Sequence, residues 1–248
     1  MKKIALITGS GRGIGAATAR YLAGRRYTLC INYKSNRVSA DLLVSELRQK
    51  GSTVIEVQAD VSVESEVVRL FHQVDEQLGT ITALVNNAGI LLPQMRVESM
   101  DSARINKILT TNVTGYFLCC REAVKRMSRK YGGLGGAIVN VSSAAGRLGS
   151  AGEYVDYAAS KGAVDTLTTG LALEVAAEGI RVNGVRPGFI RTDIHADGGE
   201  PGRIERIAPS IPLQRGGEAH EVAAAIGWLL SGEASYVTGT FIDIAGGR

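Results

Sequence analysis

Cysteine and aromatic side chains are scarce in this chain: 3 of 248 residues are Cys, and Phe, Trp and Tyr together make up 5%. Cys30, Cys119 and Cys120 are odd in number, and none stands at a Cys-x-x-Cys or other metal-ligand spacing. A disulfide framework and a thiolate metal centre are therefore excluded, and buried free thiols in a reducing cytoplasm are expected, with no metal. So few aromatic residues leave no stacking surface for nucleic acid. The 28 Lys and Arg residues contain no run of five. A net charge of +4 and a pI near 9.0 are read as solubility and attraction for phosphate ligands, not as a nucleic-acid footprint. No apolar run approaches the roughly 18 residues of a membrane span. After Met1-Lys2-Lys3 the apolar run Ile4 to Ile7 is too short for the core of a secretion signal, so a cytoplasmic protein is expected.

What the chain has in quantity is glycine, 31 residues without a collagen-like period, clustered at turns between short apolar runs. An apolar content of 45% with 21% charged residues is that of an ordinary globular chain. The length suits one α/β unit with a large core. Candidate strands fall at 3–8, 28–33, 53–58, 81–85, 137–141, 180–185 and 240–244. Helical patterns lie between them, at 16–22, 40–50 (closed by Gly51), 62–78, from beyond Met100 toward Lys130, from Tyr157 past Val175, and at 218–230. Ser62 is expected to cap its helix, with Glu64 and Glu66 in the first turn. Residues 191–217, rich in Gly, Pro and charge, are expected to be a mobile segment. Strands alternating with helices predict a single domain over 1–248, a doubly wound seven-stranded parallel sheet with helices on both faces. Ligands bind such sheets beyond the carboxyl ends of the strands.

The chemistry-bearing residues gather at those ends. Thr8-Gly9-Ser10-Gly11-Arg12-Gly13-Ile14-Gly15 lies between the first strand and the first helix. There, glycines let backbone N–H groups approach a pyrophosphate, and the helix dipole favours the negative charge. Asn86-Asn87-Ala88-Gly89 follows the fourth strand, Ser142 and Ser143 follow the fifth, and Pro187-Gly188 stops the sixth. Tyr157 and Lys161 are four apart, which stacks them on one helix face. A phenol with a pKa of about 10 is a poor acid or base at neutral pH. A nearby ammonium favours the phenolate and is expected to lower that value, as general acid–base work on an alcohol or ketone requires. Ser143 can hydrogen-bond the same carbonyl oxygen. Tyr154 lies three residues before Tyr157 but has no Lys at the matching offset. Arg96 is a further cation that could meet an anionic substrate group or simply be solvated.

These motifs, in this order over essentially the whole chain, resemble the short-chain dehydrogenase/reductase family. They are Thr8-Gly9-x-x-x-Gly13-x-Gly15, Asp60, Asn86-Asn87-Ala88-Gly89, Asn112, Ser143, Tyr157-x-x-x-Lys161, Pro187-Gly188 with Thr192, and the tail Tyr236-Val237-Thr238-Gly239 with Asp243 and Gly246-Gly247. The resemblance is strongest to 3-oxoacyl-thioester reductases and sugar dehydrogenases, and both substrate classes stay open. It implies Tyr157 as general acid/base and Lys161 as the cation that lowers its pKa and binds the nicotinamide ribose. Ser143 would polarise the substrate carbonyl, and Asn112 would hold a water that links Lys161 to solvent. Gly9, Ser10, Gly13, Ile14 and Gly15 form the pyrophosphate turn. Asp60 and Val61 meet the adenine, Asn87, Ala88 and Gly89 border the adenosine ribose, and Pro187, Gly188, Ile190 and Thr192 sit over the nicotinamide. Between the two adjacent serines, the following Ala-Ala-Gly favours Ser143. The interval from Ser143 to Tyr157 is one residue longer than in many relatives. The family also implies a homotetramer built through the helices at 103–130 and 157–178, whose Phe117, Leu118 and Cys119 make apolar faces that must be covered. The alternative is a non-catalytic dinucleotide-binding regulator.

NADP(H) is expected over NAD(H). An NAD site places an acid at the end of the second strand, about 20 residues past the glycines, for the ribose 2′-hydroxyl. Here that place is Asn32-Tyr33-Lys34-Ser35-Asn36-Arg37, which has none. Lys34 and, from the glycine loop, Arg12 would attract a 2′-phosphate, with Ser35 adding a hydroxyl.

Overall fold

A computed structural model describes residues 2–248. The strands are β1 (Ile4–Ile7), β2 (Thr28–Tyr33), β3 (Val54–Gln58), β4 (Ala83–Asn86), β5 (Gly136–Val141), β6 (Ile180–Pro187), β7 (Ile190–Arg191), β8 (Gly217–Glu218) and β9 (Phe241–Ile244). Seven of them form one parallel sheet in the order β3-β2-β1-β4-β5-β6-β9. This is the doubly wound Rossmann arrangement expected from the strand–helix alternation. The order reverses between β1 and β4, and the crevice beyond their carboxyl ends is the binding position of such sheets.

The sheet is buried on both sides, so its strands read as unbroken apolar runs. Side chains alternate between faces. Ile4, Leu6, Leu84, Ile138 and Val182 pack under α3 (Glu64–Gln77), α5 (Gly115–Met127) and α7 (Val155–Val175), which follows the short α6 (Ala145–Leu148), through Leu70, Phe71, Tyr116 and Val164. Ala5, Ile7, Leu29, Val85 and Val139 pack under α1 (Gly13–Ala23), α2 (Arg37–Gln49) and α10 (Ala219–Leu230) through Leu22, Leu43, Val222 and Ile226. Cys30, Cys119 and Cys120 are buried free thiols, and burial pushes all three thiols up. No helix among the described residues is long and apolar enough to cross a membrane.

Three local expectations need correction. First, α3 starts at Glu64 with Val63 as its uncapped N-cap. Ser62 instead donates its hydroxyl to Asp60 Oδ1 at 2.6 Å. Second, the helix beyond Met100 runs unbroken to Met127, as expected, but is not regular α-helix throughout. It is α4 (Ser102–Leu109), a π-helical turn at Thr110–Thr114, and α5. Third, 191–217 carries regular structure. It holds α8 (Ile194–Asp197) and α9 (Arg203–Ile207), and β7 pairs in parallel with β8. The charge in this segment is spent on a network. Arg203 bridges Glu153, which precedes α7, to Glu200 at 3.0 Å, and its guanidinium stacks 4.8 Å from the Tyr154 ring centroid.

Candidate active site

A cleft of about 560 Å³ opens along the carboxyl ends of the sheet, lined from Lys34 at one end to Arg203 at the other. At its centre is the glycine loop. Gly9 and Gly13 have φ of +60° and +55°, the left-handed region that other residues enter at a cost. A β-carbon on Gly15 would stand 2.6 Å from Asn87 Nδ2 and 2.7 Å from Ser10 Cα, so the close packing of loop, α1 and the β4 end requires glycine there. The first turn of α1 has no acidic residue and no side-chain cap, which leaves its N–H groups for an anion. This backbone cradle fits the pyrophosphate of a nicotinamide dinucleotide. Gly9, Arg12, Gly13, Ile14, Tyr33, Lys34, Ser35, Asp60, Val61, Asn87, Ala88, Gly89, Pro187, Gly188, Ile190 and Thr192 all line the cleft. Ser10 and Gly15 lie behind it, and the Ser10 hydroxyl donates to Ile7 O at 2.8 Å.

The same cleft is lined by Ser143, Tyr157 and Lys161. Lys161 is 3% exposed. Its ammonium donates to Val141 O at 2.8 Å and to Tyr116 Oη at 3.4 Å, and lies 5.6 Å from the Tyr157 ring centroid. Burial brings Lys161 down to about 8, with Asp165 pulling the other way. Burial pushes the Tyr157 phenol up to about 12, opposed by the Ser143 hydroxyl. This differs from the expectation of a lowered phenol pKa: desolvation is the largest influence, only the Ser143 hydroxyl opposes it, and the ammonium hydrogen-bonds Val141 and Tyr116 instead of the phenol. The neighbouring Ser142 turns away, donating to Lys161 O at 3.2 Å, so the two adjacent serines face opposite sides.

Asn112 sits in the π turn, fully buried. Its amide accepts from Ile90 N at 2.8 Å and donates to Ile90 O at 3.0 Å and Ser160 Oγ at 3.1 Å. It therefore ties the β4 end to α7, and Asn112 does not itself line the cleft. Gly89 lies against Asn112 and Lys161, and a β-carbon there would meet Asn112 Oδ1 at 3.4 Å and Lys161 Nζ at 3.6 Å, at ordinary contact distance.

The sequence did not single out the residues that aim Tyr157. Asp156 Oδ1 accepts from Tyr157 N at 2.9 Å, while Oδ2 takes Arg104 Nε at 2.8 Å. This pair is buried and joins α4 to the first turn of α7. Nor were His195 and Arg203 found, although both line the cleft. No local pattern marks them, because their partners lie far off in the chain. Tyr154 is buried, its hydroxyl donating to Gly198 O at 3.0 Å. Arg96 is exposed and paired with Glu98, outside the cleft.

A dinucleotide cradle that runs into a part-exposed tyrosine beside a buried lysine defines the cleft of a Rossmann-fold oxidoreductase. A family model described as enoyl-(acyl carrier protein) reductase matches residues 9–248. An uncharacterized oxidoreductase, YgfF, of Escherichia coli K12 is 63% identical over 99% of both chains. The 3-oxoacyl-[acyl-carrier-protein] reductase FabG of Staphylococcus aureus is 37% identical over 100% of this chain and 98% of its own. The crystal structure of levodione reductase superposes with a TM-score of 0.90 at 34% identity, covering 99% of this chain and 96% of the other. The chain belongs to the short-chain dehydrogenase/reductase family and is an NAD(P)-dependent oxidoreductase.

Proposed function

We propose that this chain reduces a small-molecule carbonyl compound to a secondary alcohol, with NADPH preferred, and that Tyr157 is the general acid. One observation carries the reading: a part-exposed phenol, a serine hydroxyl and a buried ammonium line one cleft with the glycine loop. The bound nicotinamide supplies the hydride. Ser143 donates to the substrate carbonyl oxygen and polarises it. Tyr157 passes its proton to that oxygen as the C–H bond forms. A phenol whose pKa stands at about 12 holds its proton at neutral pH, the form that a general acid for carbonyl reduction needs. The phenolate left behind is stabilised by the Lys161 ammonium in a low-dielectric site. Asn112 and the Arg104–Asp156 pair act through position, holding α7 against the β4 end.

For cofactor choice, the absence of an acid in 32–37 supports NADPH. Both candidate cations have carboxylate partners, however: Lys34 pairs with Asp60 at 2.6 Å, and Arg12 with Asp197 and, at 3.9 Å, Asp193. The Lys34 side chain is 62% exposed, and exposed pairs are worth about 0–1 kcal/mol. A charge-assisted hydrogen bond to a phosphate, worth about 1.5–3 kcal/mol, exceeds that. The net preference is expected to be roughly tenfold to a hundredfold, since 1.4 kcal/mol is tenfold. Exposed apolar residues on α5 and α7, Phe117 and Leu173, support a homotetramer built on those helices. Light scattering that returned a monomer at micromolar concentration would remove that assignment.

The decisive experiment is a reductase screen over cyclic ketones, sugars and 3-oxoacyl thioesters with NADPH and NADH, on wild type, Tyr157→Phe and Tyr154→Phe. Tyr157→Phe is expected to lower kcat about 10²–10⁴-fold while NADPH still binds, and Tyr154→Phe to be far milder. Tyr154 proving the more sensitive position would overturn the assignment.

A further inference from the structure

Away from its coenzyme half, the cleft ends at a seam between three segments of the chain. These are the loop after Gly89, the stretch 150–154 ahead of α7, and 198–206, which follows α8 and runs into α9. Tyr154 donates its hydroxyl to Gly198 O at 3.0 Å. A β-carbon on Gly198 would stand 2.7 Å from Leu91 Cδ2 and 3.0 Å from Tyr154 Oη, so the segments are in close contact there. Met95 N donates to Glu153 O at 3.0 Å, and Gln94 Nε2 to Glu200 Oε2 at 2.7 Å. Arg203 bridges Glu153 and Glu200, and its guanidinium lies 4.8 Å from the Tyr154 ring centroid and 5.4 Å from that of Phe189. Every pair of the three segments is thus joined by at least one hydrogen bond.

Leu91, Tyr154, Phe189 and Arg203 line the same cleft as Ser143 and Tyr157. Leu91, Tyr154 and Arg203 are at most 8% exposed. Side chains that line a cleft yet expose so little form a packed wall, and a packed wall yields at a cost. It stands close to the reacting groups. Tyr154 is three residues before Tyr157, so their Cα atoms are at most about 11 Å apart. Leu91 is two residues past Gly89, which lies against Lys161. A carbon chain that runs from Ser143 and Tyr157 toward this end meets the wall within a few atoms.

We infer that Leu91 and Tyr154 are specificity-determining residues that set an upper limit on the length of the substrate's carbon chain, so that the substrate is a compact ketone and not a long-chain one. The inference rests on the carbonyl-reduction reading above and deepens it. A chain that stops short of the wall gains from each methylene that leaves water. A chain that reaches it must displace a leucine packed on Gly198 and a ring held by Gly198 and Arg203, and that overpacking is the source of the discrimination.

The test uses the straight-chain methyl ketones from 2-butanone to 2-undecanone, which lengthen one side of the carbonyl alone. Two readouts are taken: kcat/KM of the wild-type protein at saturating NADPH, and calorimetric Kd on the NADPH complex of Tyr157→Phe, which needs no turnover. Both should improve by up to roughly fourfold per methylene while the added carbons are buried, and then worsen about tenfold once the chain meets the wall. Leu91→Ala and Tyr154→Ala should each move that break to a longer ketone. Tyr154→Phe, which keeps the ring, should leave it in place. The position of the break is read within each variant, so a general loss of activity or stability does not mimic the shift, and Leu91→Ala alone decides if Tyr154→Ala does not fold. No break through 2-undecanone in wild type, or a break that Leu91→Ala leaves unmoved, overturns the inference. A wild type that turns over none of these ketones, yet binds them with a length limit that Leu91→Ala extends, would sink the carbonyl-reduction reading and leave the wall standing. Turnover of the whole series without a limit would do the reverse.

Discussion

Two lysines stand at the two ends of one cleft. Lys34 is 62% exposed and holds Asp60 at 2.6 Å. Lys161 is 3% exposed, has no salt bridge, and donates to a carbonyl and a phenol. The shorter ionic contact is the weaker device. In water-like surroundings a pair at that distance gains little and is screened by salt, so Lys34 can exchange Asp60 for a phosphate. Lys161 lies where an unpaired charge is costly, and its pKa has already fallen to about 8. Any negative charge that develops nearby, such as a phenolate on Tyr157, is stabilised far more strongly there than at the surface. Burial, more than proximity to an acid, separates the lysine proposed for recognition from the one proposed for catalysis.

The largest effect should come from breaking the buried end. Lys161→Met is expected to lower kcat about 10²–10⁴-fold, the range of acid–base assistance. A loss under tenfold would mean that the ammonium does not support the proton transfer. The exposed end should answer more quietly. Lys34→Asp is expected to cut the ratio of kcat/KM for NADPH over NADH by roughly ten- to a hundredfold on one ketone, at 1.4 kcal/mol per factor of ten. A wild-type ratio at or below one, or a ratio unmoved by the variant, would sink the NADPH assignment. The smallest effect is a matter of pH. Lys161 is charged below its folded value of about 8 and neutral above it, whereas an unperturbed lysine stays charged to about 10.4. So kcat/KM for reduction, which reports the free protein, should be level below about pH 7 and fall as pH rises through 8. Lys161→Arg, always charged, should lose that fall. A profile level to pH 10 in wild type would refute the link.

What could be read in the sequence was local in the chain. The seven strands, the glycine turn and the Tyr157–Lys161 spacing each depend on residues within a few positions of one another, and all appear where expected. The two-residue periodicity of a strand says that only one of Ser142 and Ser143 can face the cleft, and the choice of Ser143 comes from the family resemblance at the following Ala-Ala-Gly. What escaped depends on contacts between distant residues. Arg104 and Asp156 are 52 apart and Arg203 and Glu153 are 50 apart. Neither pair leaves a periodic trace, so 191–217 read as a loose connection. The π turn at 110–114 has no composition of its own. The phenol pKa went the wrong way because spacing reports a neighbouring charge but not the depth at which both groups lie.

The Arg12 guanidinium spans from the glycine loop to Asp197 on α8, the helix that carries His195. A reductant that recruits Arg12 through a 2′-phosphate must take it from that carboxylate. Under the proposed preference, the cation that would meet the 2′-phosphate is also the one that tethers a helix lining the cleft. Coenzyme binding and the seating of α8 would then be linked, and the apparent affinity for a given ketone would depend on which coenzyme is already in place. Asp197→Asn, which weakens the link, would make the two affinities converge.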